Sequence, residues 1–271
     1  MKYSIIRKTG ILAITICMLI GTRAISQTTV SSEVISQKLS SIYQVYDSMN
    51  YMSFDMRMVM EADSIVGHPN LQSRSEQTAK LTIAGKRYRY EIGENVFMQG
   101  DSFVIAVYKP AQALMLDRAK PMGANSLLPG GKSALDSLMA RYTGVYSMFT
   151  DTTQNGNRLL LMHTNDSSMP YRDIVIEYDK VKNYLISTSY TFYTTPEDTI
   201  PLSPQSVSTE SNSNNSLLQK HTLTTYYLNY RFNPQSFGKA FSEAEFIYYD
   251  GKKYWPSDAY RSYQFYNMVS E

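Results

Sequence analysis

The sequence predicts a mainly β protein in which one curved antiparallel sheet forms an unclosed barrel covered by two helices. The first observation is that apolar and polar residues alternate between Gly-containing turns over 79–116, which we interpret as four short strands. Alternation with a period of two turns one face of a sheet to an apolar interior and the other to water. The other observations are two stretches with helical spacing, 31–50 and 133–149.

The two helices are predicted from apolar residues that recur every three or four positions. In the first, this spacing runs from Val34 to Tyr46, and Ser32 suits the capping position at its start. In the second, it runs from Leu135 to Tyr146. Both helices are amphipathic, so each is expected to pack one face against the sheet.

Strands are predicted before and after the second helix. Alternating Phe and Met residues indicate a strand over 54–60, separated from the strands of 79–116 by a polar loop at 63–77. Later strands are predicted at 158–163, 174–178, 184–193, 223–232 and 243–249. Two further segments are predicted as loops: 120–131, rich in Pro, Gly and Asn, and 194–216, too polar to order itself by burial and therefore mobile.

The N-terminus has the features of a cleaved secretory signal peptide over 1–26. Three basic residues precede an apolar run at 9–20 that is too short to span a membrane, and Ala24 and Ser26 are the small residues of a cleavage site before Gln27. The cysteine of a bacterial lipoprotein signal follows a small residue, whereas Ile16 precedes Cys17. A cleaved signal peptide is therefore favoured over a lipid-anchored N-terminus, and also over an uncleaved membrane anchor. We expect a periplasmic protein with no transmembrane span after cleavage.

Removal of the signal peptide changes the charge and the cysteine content. The chain has 26 basic and 24 acidic residues, and the leader holds four of the basic ones and no acid, which leaves 22 against 24 and a net charge of −2. This balance gives no electrostatic support for a nucleic-acid partner. The only cysteine lies in the leader, so disulfides and thiol chemistry are not expected. Residues 27–271 are predicted to form one domain.

The inward face of the predicted sheet is rich in Met, Tyr, Phe and Ile, which indicates a cavity for an apolar ligand. The predicted lining residues are Phe54, Met56, Met58, Leu81, Ile83, Tyr88, Tyr90, Phe103, Ile105 and Val107. The second helix would cover the cavity as a lid through Leu135, Leu138, Met139 and Tyr142. A well-packed core without a cavity explains the same pattern and stays open as an alternative.

Motifs for other chemistry are weak. Gly130-Gly131-Lys132-Ser133 lacks the earlier glycine of a phosphate-binding loop, and the three histidines have no metal-binding spacing. No nucleophile elbow is present, so no enzyme, metal or cofactor is expected. In 86–90, Arg87 and Arg89 share one face of a strand and Tyr88 and Tyr90 the other, which indicates outward arginines over inward tyrosines. Such arginines would meet water, anionic lipid headgroups or a partner.

The order of these segments resembles the LolA/LolB-like periplasmic lipoprotein carriers over about residues 30–232. The resemblance rests on an amphipathic helix leading into 52–58, the strand pair 81–90, the hairpin 96–110, the helix 133–149 and the strand pair around 176–185. It implies an unclosed β-barrel covered by helices and a hydrophobic cavity for acyl chains. The arginine that contacts the lid in that family would fall near Ala84 or Gly85, so the resemblance supports a lipid cavity more than lipoprotein transport.

The favoured hypothesis is therefore a non-enzymatic carrier or binding protein for lipid or lipoprotein acyl chains. The leading alternative is a cell-envelope interaction module with the same fold and no ligand, in which exposed C-terminal tyrosines bind a protein partner. A third possibility, an extracytoplasmic hydrolase, would require Ser, His and Asp side chains or paired carboxylates clustered in the cavity.

Overall fold

The structure is a computed structural model that describes residues 28–48, 51–63, 72–119, 144–153, 155–194, 218–232 and 240–269. The predicted signal peptide, the loop 120–131, nearly all of the loop 194–216 and residues 133–143 of the second helix lie outside these ranges. In the described part, no helix is long and apolar enough to span a membrane.

The described elements are one α-helix and fifteen strands. The helix, α1, spans Ser32–Ser48, close to the predicted bounds. The strands are β1 Thr28–Thr29, β2 Met52–Ala62, β3 Ser73–Ala84, β4 Arg87–Ile92, β5 Asn95–Gln99, β6 Phe103–Tyr108, β7 Ala113–Arg118, β8 Ser147–Thr152, β9 Arg158–His163, β10 Asp173–Tyr178, β11 Leu185–Thr194, β12 Gln219–Phe232, β13 Ile247–Tyr249, β14 Tyr254–Pro256 and β15 Gln264–Asn267.

Thirteen of these strands form one curved sheet in the order β1-β8-β9-β10-β11-β12-β2-β3-β4-β5-β6-β7-β15. Neighbouring strands in this sheet are antiparallel, except that β15 runs parallel to β7. The end strands β1 and β15 do not pair with each other, so the barrel is unclosed as predicted. The remaining strands, β13 and β14, form a separate hairpin whose connection contains Asp250 and Gly251.

Four local predictions differ from the structure. The strand predicted at 243–249 is limited to β13, because Glu243–Glu245 form a short 3-10 helix before it. The second helix does not reach residue 149, because Gly144 has a φ of +83° and Ser147 already pairs with His163 in the sheet. Strand β3 begins at Ser73, inside the predicted polar loop, because its exposed first half pairs with β2 by backbone hydrogen bonds without burying side chains. The stretch 79–116 contains parts of five strands instead of four, since β7 is a strand of its own.

Helix α1 packs on one face of the sheet, which we call the helix side and define by Phe54, Leu81 and Tyr90. Ile35, Leu39, Ile42, Tyr43 and Tyr46 of α1 are at most 1% exposed and join one apolar cluster with β2–β4 and β8–β12. Burial of this size dominates folding stability, at about 25 cal/mol per Å² of apolar surface.

We call the opposite face the tail side and define it by Arg89, Met98 and Ile105. It is covered by the C-terminal segment, residues 240–269. Phe241, Phe246 and Ile247 of this segment form a second apolar cluster with the tail side of β5–β7. The sheet therefore has a core on each face: the helix covers one side of one half, and the C-terminal segment covers the other side of the other half.

Candidate apolar ligand site

The strand register divides the predicted lining residues between the two faces of the sheet. Tyr90 is paired with Phe97, and Phe97 with Ala106, so these three side chains share the helix side. Ile105, the residue before Ala106, therefore points to the tail side, where it pairs with Met98. The prediction that Phe103, Ile105 and Val107 line the same cavity as Tyr90 is wrong.

The reason for this error is that strand β6, Phe103–Tyr108, is apolar at every position. Both of its faces are covered or partly covered, so its sequence lacks the apolar–polar alternation that would assign each side chain to a face. A shift of one residue in register reverses the facing of the whole strand. The backbone pairing of Gln99 with Val104 decides the facing, and it places Ile105 and Val107 in the tail-side core.

The other seven predicted lining residues do lie on the helix side. Four of them, Phe54, Met56, Leu81 and Ile83, are at most 1% exposed because they pack in the cluster that includes α1. Tyr88 is also buried, whereas Met58 and Tyr90 are half-buried at the margin of that cluster. The predicted lid residues Leu135, Leu138, Met139 and Tyr142 lie outside the described residues.

Beyond the cluster with α1, the helix side of β4–β7 carries half-exposed apolar side chains. We call this surface the open face and define it by Tyr90, Phe97, Val104, Ala106, Tyr108 and Met115. Tyr266 of β15 extends it to the edge of the sheet, because Tyr266 pairs with Met115 and is 44% exposed. Of these residues only Tyr90 was predicted. The apolar character of β6 on both faces is the signal that would have found Val104, Ala106 and Tyr108.

The rings on the open face contact one another. The centroid of Phe97 is 6.2 Å from that of Tyr90 and 5.4 Å from that of Tyr108, the second pair being edge-to-face. Partial burial raises the pKa of Tyr90 above its ordinary value. Asp117 is the only charged residue on the helix side of β4–β7, so this surface suits an uncharged chain.

Two amide side chains flank Phe97 on the same face of β5. Among the described residues, the Oε1 atom of Gln99 and the Oδ1 atom of Asn95 have no hydrogen-bond partner, while the Nε2 atom of Gln99 donates to the carbonyl oxygen of Lys86. Both oxygens are buried, so a ligand on this surface does not reach them in this arrangement. The chemistry of the open face is therefore apolar contact.

Arg89 occupies the face that the alternation predicted, but it does not point into water. Its Nη1 and Nη2 atoms donate to the carboxylate of Glu245 at 2.6 and 3.0 Å, and its Nε atom donates to Glu91 at 2.7 Å. Burial opposes the charged guanidinium, yet these carboxylates outweigh burial and raise the pKa of Arg89. Arg89 therefore attaches the C-terminal segment to the sheet, and its partner is a carboxylate of the same chain instead of water or a lipid headgroup.

A row of Ser147, His163 and Asp173 crosses three adjacent strands, the residue types that a hydrolase would need. His163 Nδ1 lies 2.6 Å from Asp173 Oδ1, but its Nε2 atom faces Asn165 Oδ1 at 3.2 Å instead of the serine. The row lies on the face opposite α1, and Ser147 is exposed, so nothing there excludes water from a reacting group. Among the described residues, no group of three acidic, His or Cys side chains is placed to hold a metal ion.

Comparison with known proteins gives structural neighbours only. No family model matches the chain, and no curated protein matches it significantly. A LolA superfamily protein from Nitrosomonas europaea is 10% identical with a TM-score of 0.27, and 79% of this chain aligns with 98% of it. An outer membrane lipoprotein-sorting protein domain from Vibrio parahaemolyticus is 10% identical with a TM-score of 0.29, and 76% of this chain aligns with 95% of it.

A third neighbour is the MucA/MucB complex of Pseudomonas aeruginosa, at 13% identity and a TM-score of 0.36, where 74% of this chain aligns with 58% of the matched chain. The structural neighbours thus include the family that the sequence resembles. At these identities and TM-scores they indicate no ligand, partner or location for this chain.

Proposed function

We propose that this protein is a non-enzymatic carrier or binding protein for acyl chains of lipids or lipoproteins, which it holds on the open face. The observation that supports this proposal is the continuous, half-exposed apolar surface from Tyr90 to Met115, adjoining the core under α1. Contiguous exposed apolar surface on a folded protein commonly marks a binding site. Location in the periplasm remains a prediction from the sequence.

An acyl chain fits this surface energetically. Each methylene group removed from water contributes about 0.8 kcal/mol, so a chain lying across three strands gains several kcal/mol without any charged anchor. Met115 adapts to chains of different shape because its side chain is unbranched and polarisable. Tyr90 and Tyr108 lie on the same face of the sheet as Met115 and are only partly buried, so both add apolar contact surface.

The depth of the site depends on α1. Phe54, Leu81 and Ile83 have no exposed surface to offer while α1 is packed on them, so a chain reaches them only if α1 moves. The predicted lid, with Leu138 at its centre, follows β7 in the chain and stays part of this proposal as a sequence prediction.

The proposal is tested by uptake of a fluorescent fatty acid by the purified protein in solution. Val104→Asp places a carboxylate on the open face and is expected to reduce the affinity at least tenfold. Val175→Asp is the matched control, because Val175 is also a half-buried strand valine but lies on the opposite face of the sheet. Equal affinity of the two folded variants would contradict the proposal.

The alternative is a cell-envelope interaction module that uses the same fold without a ligand. It is favoured by the complete burial of Phe54 and Leu81 under α1, which shows that the sheet next to the open face is filled by the protein itself. Native mass spectrometry followed by organic extraction separates the two. Stoichiometric lipid supports the carrier, and a lipid-free mass without fatty-acid uptake supports the interaction module.

A further inference from the structure

The β13–β14 hairpin, Ile247–Pro256, exposes aromatic rings on both of its faces. Tyr248 pairs with Trp255 on one face, and Tyr249 pairs with Tyr254 on the other. Tyr248, Tyr249 and Trp255 are 49%, 56% and 37% exposed, which is unusual for three neighbouring rings in a short hairpin. Tyr and Trp side chains of this kind are enriched where proteins meet the interface between membrane and water.

Two lysines at the turn add positive charge to these rings. Lys252 and Lys253 are exposed and form no ion pair among the described residues, and Lys253 Nζ lies 3.9 Å from the centre of the Trp255 ring. The neighbouring acids are already engaged: Asp250 accepts from Lys252 N, Lys253 N and Trp255 Nε1, and Asp101 lies 3.7 Å from Arg87. Within the hairpin, Lys252 and Lys253 outnumber Asp250, so an approaching surface meets a net positive charge and aromatic rings.

An open cavity of about 550 Å³ lies between this hairpin and the ends of β6, β7 and β15. Its walls combine the rings of Phe103, Tyr249 and Tyr254 with the cationic side chains of Arg118, Lys252 and Lys253 and one carboxylate, Asp101. The ring centroids of Phe103 and Tyr254 are 4.8 Å apart, so the base of the hairpin is packed on the sheet and the cavity is held in shape. Its volume is in the usual range for ligand pockets of proteins.

We propose that the hairpin is a membrane-contact element that binds the phosphate headgroups of anionic phospholipids. Tyr248 and Trp255 would lie at the interface, while the lysines and the cavity beneath them receive the phosphate. Basic side chains at an anionic membrane surface contribute additively, and aromatic rings add apolar burial. This inference rests on the proposed function, because a protein that carries acyl chains must load or unload them at a membrane.

Trp255 makes the proposal directly measurable, because it is the only tryptophan of the chain. Vesicles of phosphatidylcholine with phosphatidylglycerol are expected to shift its emission to shorter wavelength, and pure phosphatidylcholine vesicles are not. The double variant Lys252→Ser/Lys253→Ser is expected to weaken vesicle binding about thirtyfold, or about fivefold for each lysine. Lys180→Ser/Lys182→Ser is the matched control, since it removes two exposed lysines from the β10–β11 turn.

Three outcomes would overturn the proposal. They are equal binding to both kinds of vesicle, equal weakening by the two double variants, and an equal emission shift on addition of a soluble polyanion alone, which would indicate a general anion site. Vesicle binding is measured by co-sedimentation without fatty acid, and fatty-acid uptake without vesicles. If the protein binds vesicles but takes up no fatty acid, only the proposed function is contradicted. If it takes up fatty acid but does not bind vesicles, only the membrane contact is contradicted.

Discussion

The hydroxyl oxygen of Tyr46, on helix α1, lies 2.8 Å from the hydroxyl oxygen of Tyr230, on strand β12. Leu185 completes a closed ring of hydrogen bonds: its N–H donates to Tyr46, and its carbonyl oxygen accepts from Tyr230, each at 2.8 Å. Because Tyr230 donates to the carbonyl, Tyr46 must donate to Tyr230. This ring joins the end of α1 to β11 and β12, two of the strands on which the helix packs.

Removing one hydroxyl of this ring is expected to destabilise the fold. Tyr230→Phe leaves the O–H of Tyr46 without its acceptor and takes from the carbonyl oxygen of Leu185 the O–H that donates to it, at a cost of about 2 kcal/mol in the free energy of unfolding. Urea denaturation measures this cost. Tyr248→Phe, at an exposed tyrosine, is the control and should change stability by less than about 0.5 kcal/mol. If both variants unfold alike, the ring contributes nothing.

The C-terminal segment is expected to depend on the pair formed by Arg89 and Glu245. The side chain of Arg89 is 16% exposed, so Arg89→Gln leaves a carboxylate without its bidentate partner and should cost about 2 kcal/mol. Arg74→Gln breaks an ion pair with Glu61 in which both side chains are more than half exposed, and should cost less than about 1 kcal/mol. Urea denaturation compares the two variants, and limited proteolysis shows whether the C-terminal segment detaches first.

Two adjacent residues on strand β6 separate the core from the open face. Ile105→Val is expected to lower the free energy of unfolding by about 1 kcal/mol and to leave fatty-acid affinity unchanged, because Ile105 lies in the tail-side core. Ala106→Asp should weaken fatty-acid binding at least tenfold, because Ala106 lies on the open face. Titration with a fluorescent fatty acid gives both affinities. The opposite result would place the ligand on the tail side.

The hairpin is expected to respond to acid through Asp250. Hydrogen bonds from the backbone N–H of Lys253, from Trp255 Nε1 and from the backbone N–H of Lys252 lower the pKa of this carboxyl group. A carboxyl whose pKa is lowered by folding stabilises the hairpin fully above its unfolded pKa, and this contribution disappears as the pH falls through the lower folded pKa. The emission of Trp255 should therefore change below the ordinary aspartate range, and Asp250→Asn should abolish that transition.

Much of the secondary structure could be predicted from the sequence, because its signals are local. The helical spacing from Val34 to Tyr46 predicted α1 within two residues at each end, and β9 was predicted with the bounds that the structure shows. The boundary of β3 was missed because Ser73–Thr78 buries no apolar side chain and owes its conformation to pairing with β2. Local patterns carry no information about such a partner.

The candidate site was predicted only in part, for a related reason. The spacing of Phe54, Leu81 and Tyr90 correctly placed them on one face, since strands with one polar face show their alternation directly. Strand β6 is apolar on both faces, so the sequence was consistent with either facing. The sequence also did not predict that α1 covers Phe54 and Leu81. The amphipathic pattern of a helix predicts that one of its faces is buried, but not which surface of the protein that face covers.

The sequence by itself determined the class of fold, the order of its strands along the chain and the apolar character of the sheet, because periodicity is a property of neighbouring residues. Only the tertiary structure decided which side chains share a face, since the register of Gln99 with Val104 sets the facing of β6. It also brought Arg89 to Glu245 across 156 positions. Contacts between residues so far apart in sequence form only when the folded chain buries apolar surface and pairs charges. For this reason the candidate site lies on the open face instead of in the cavity that the sequence predicted.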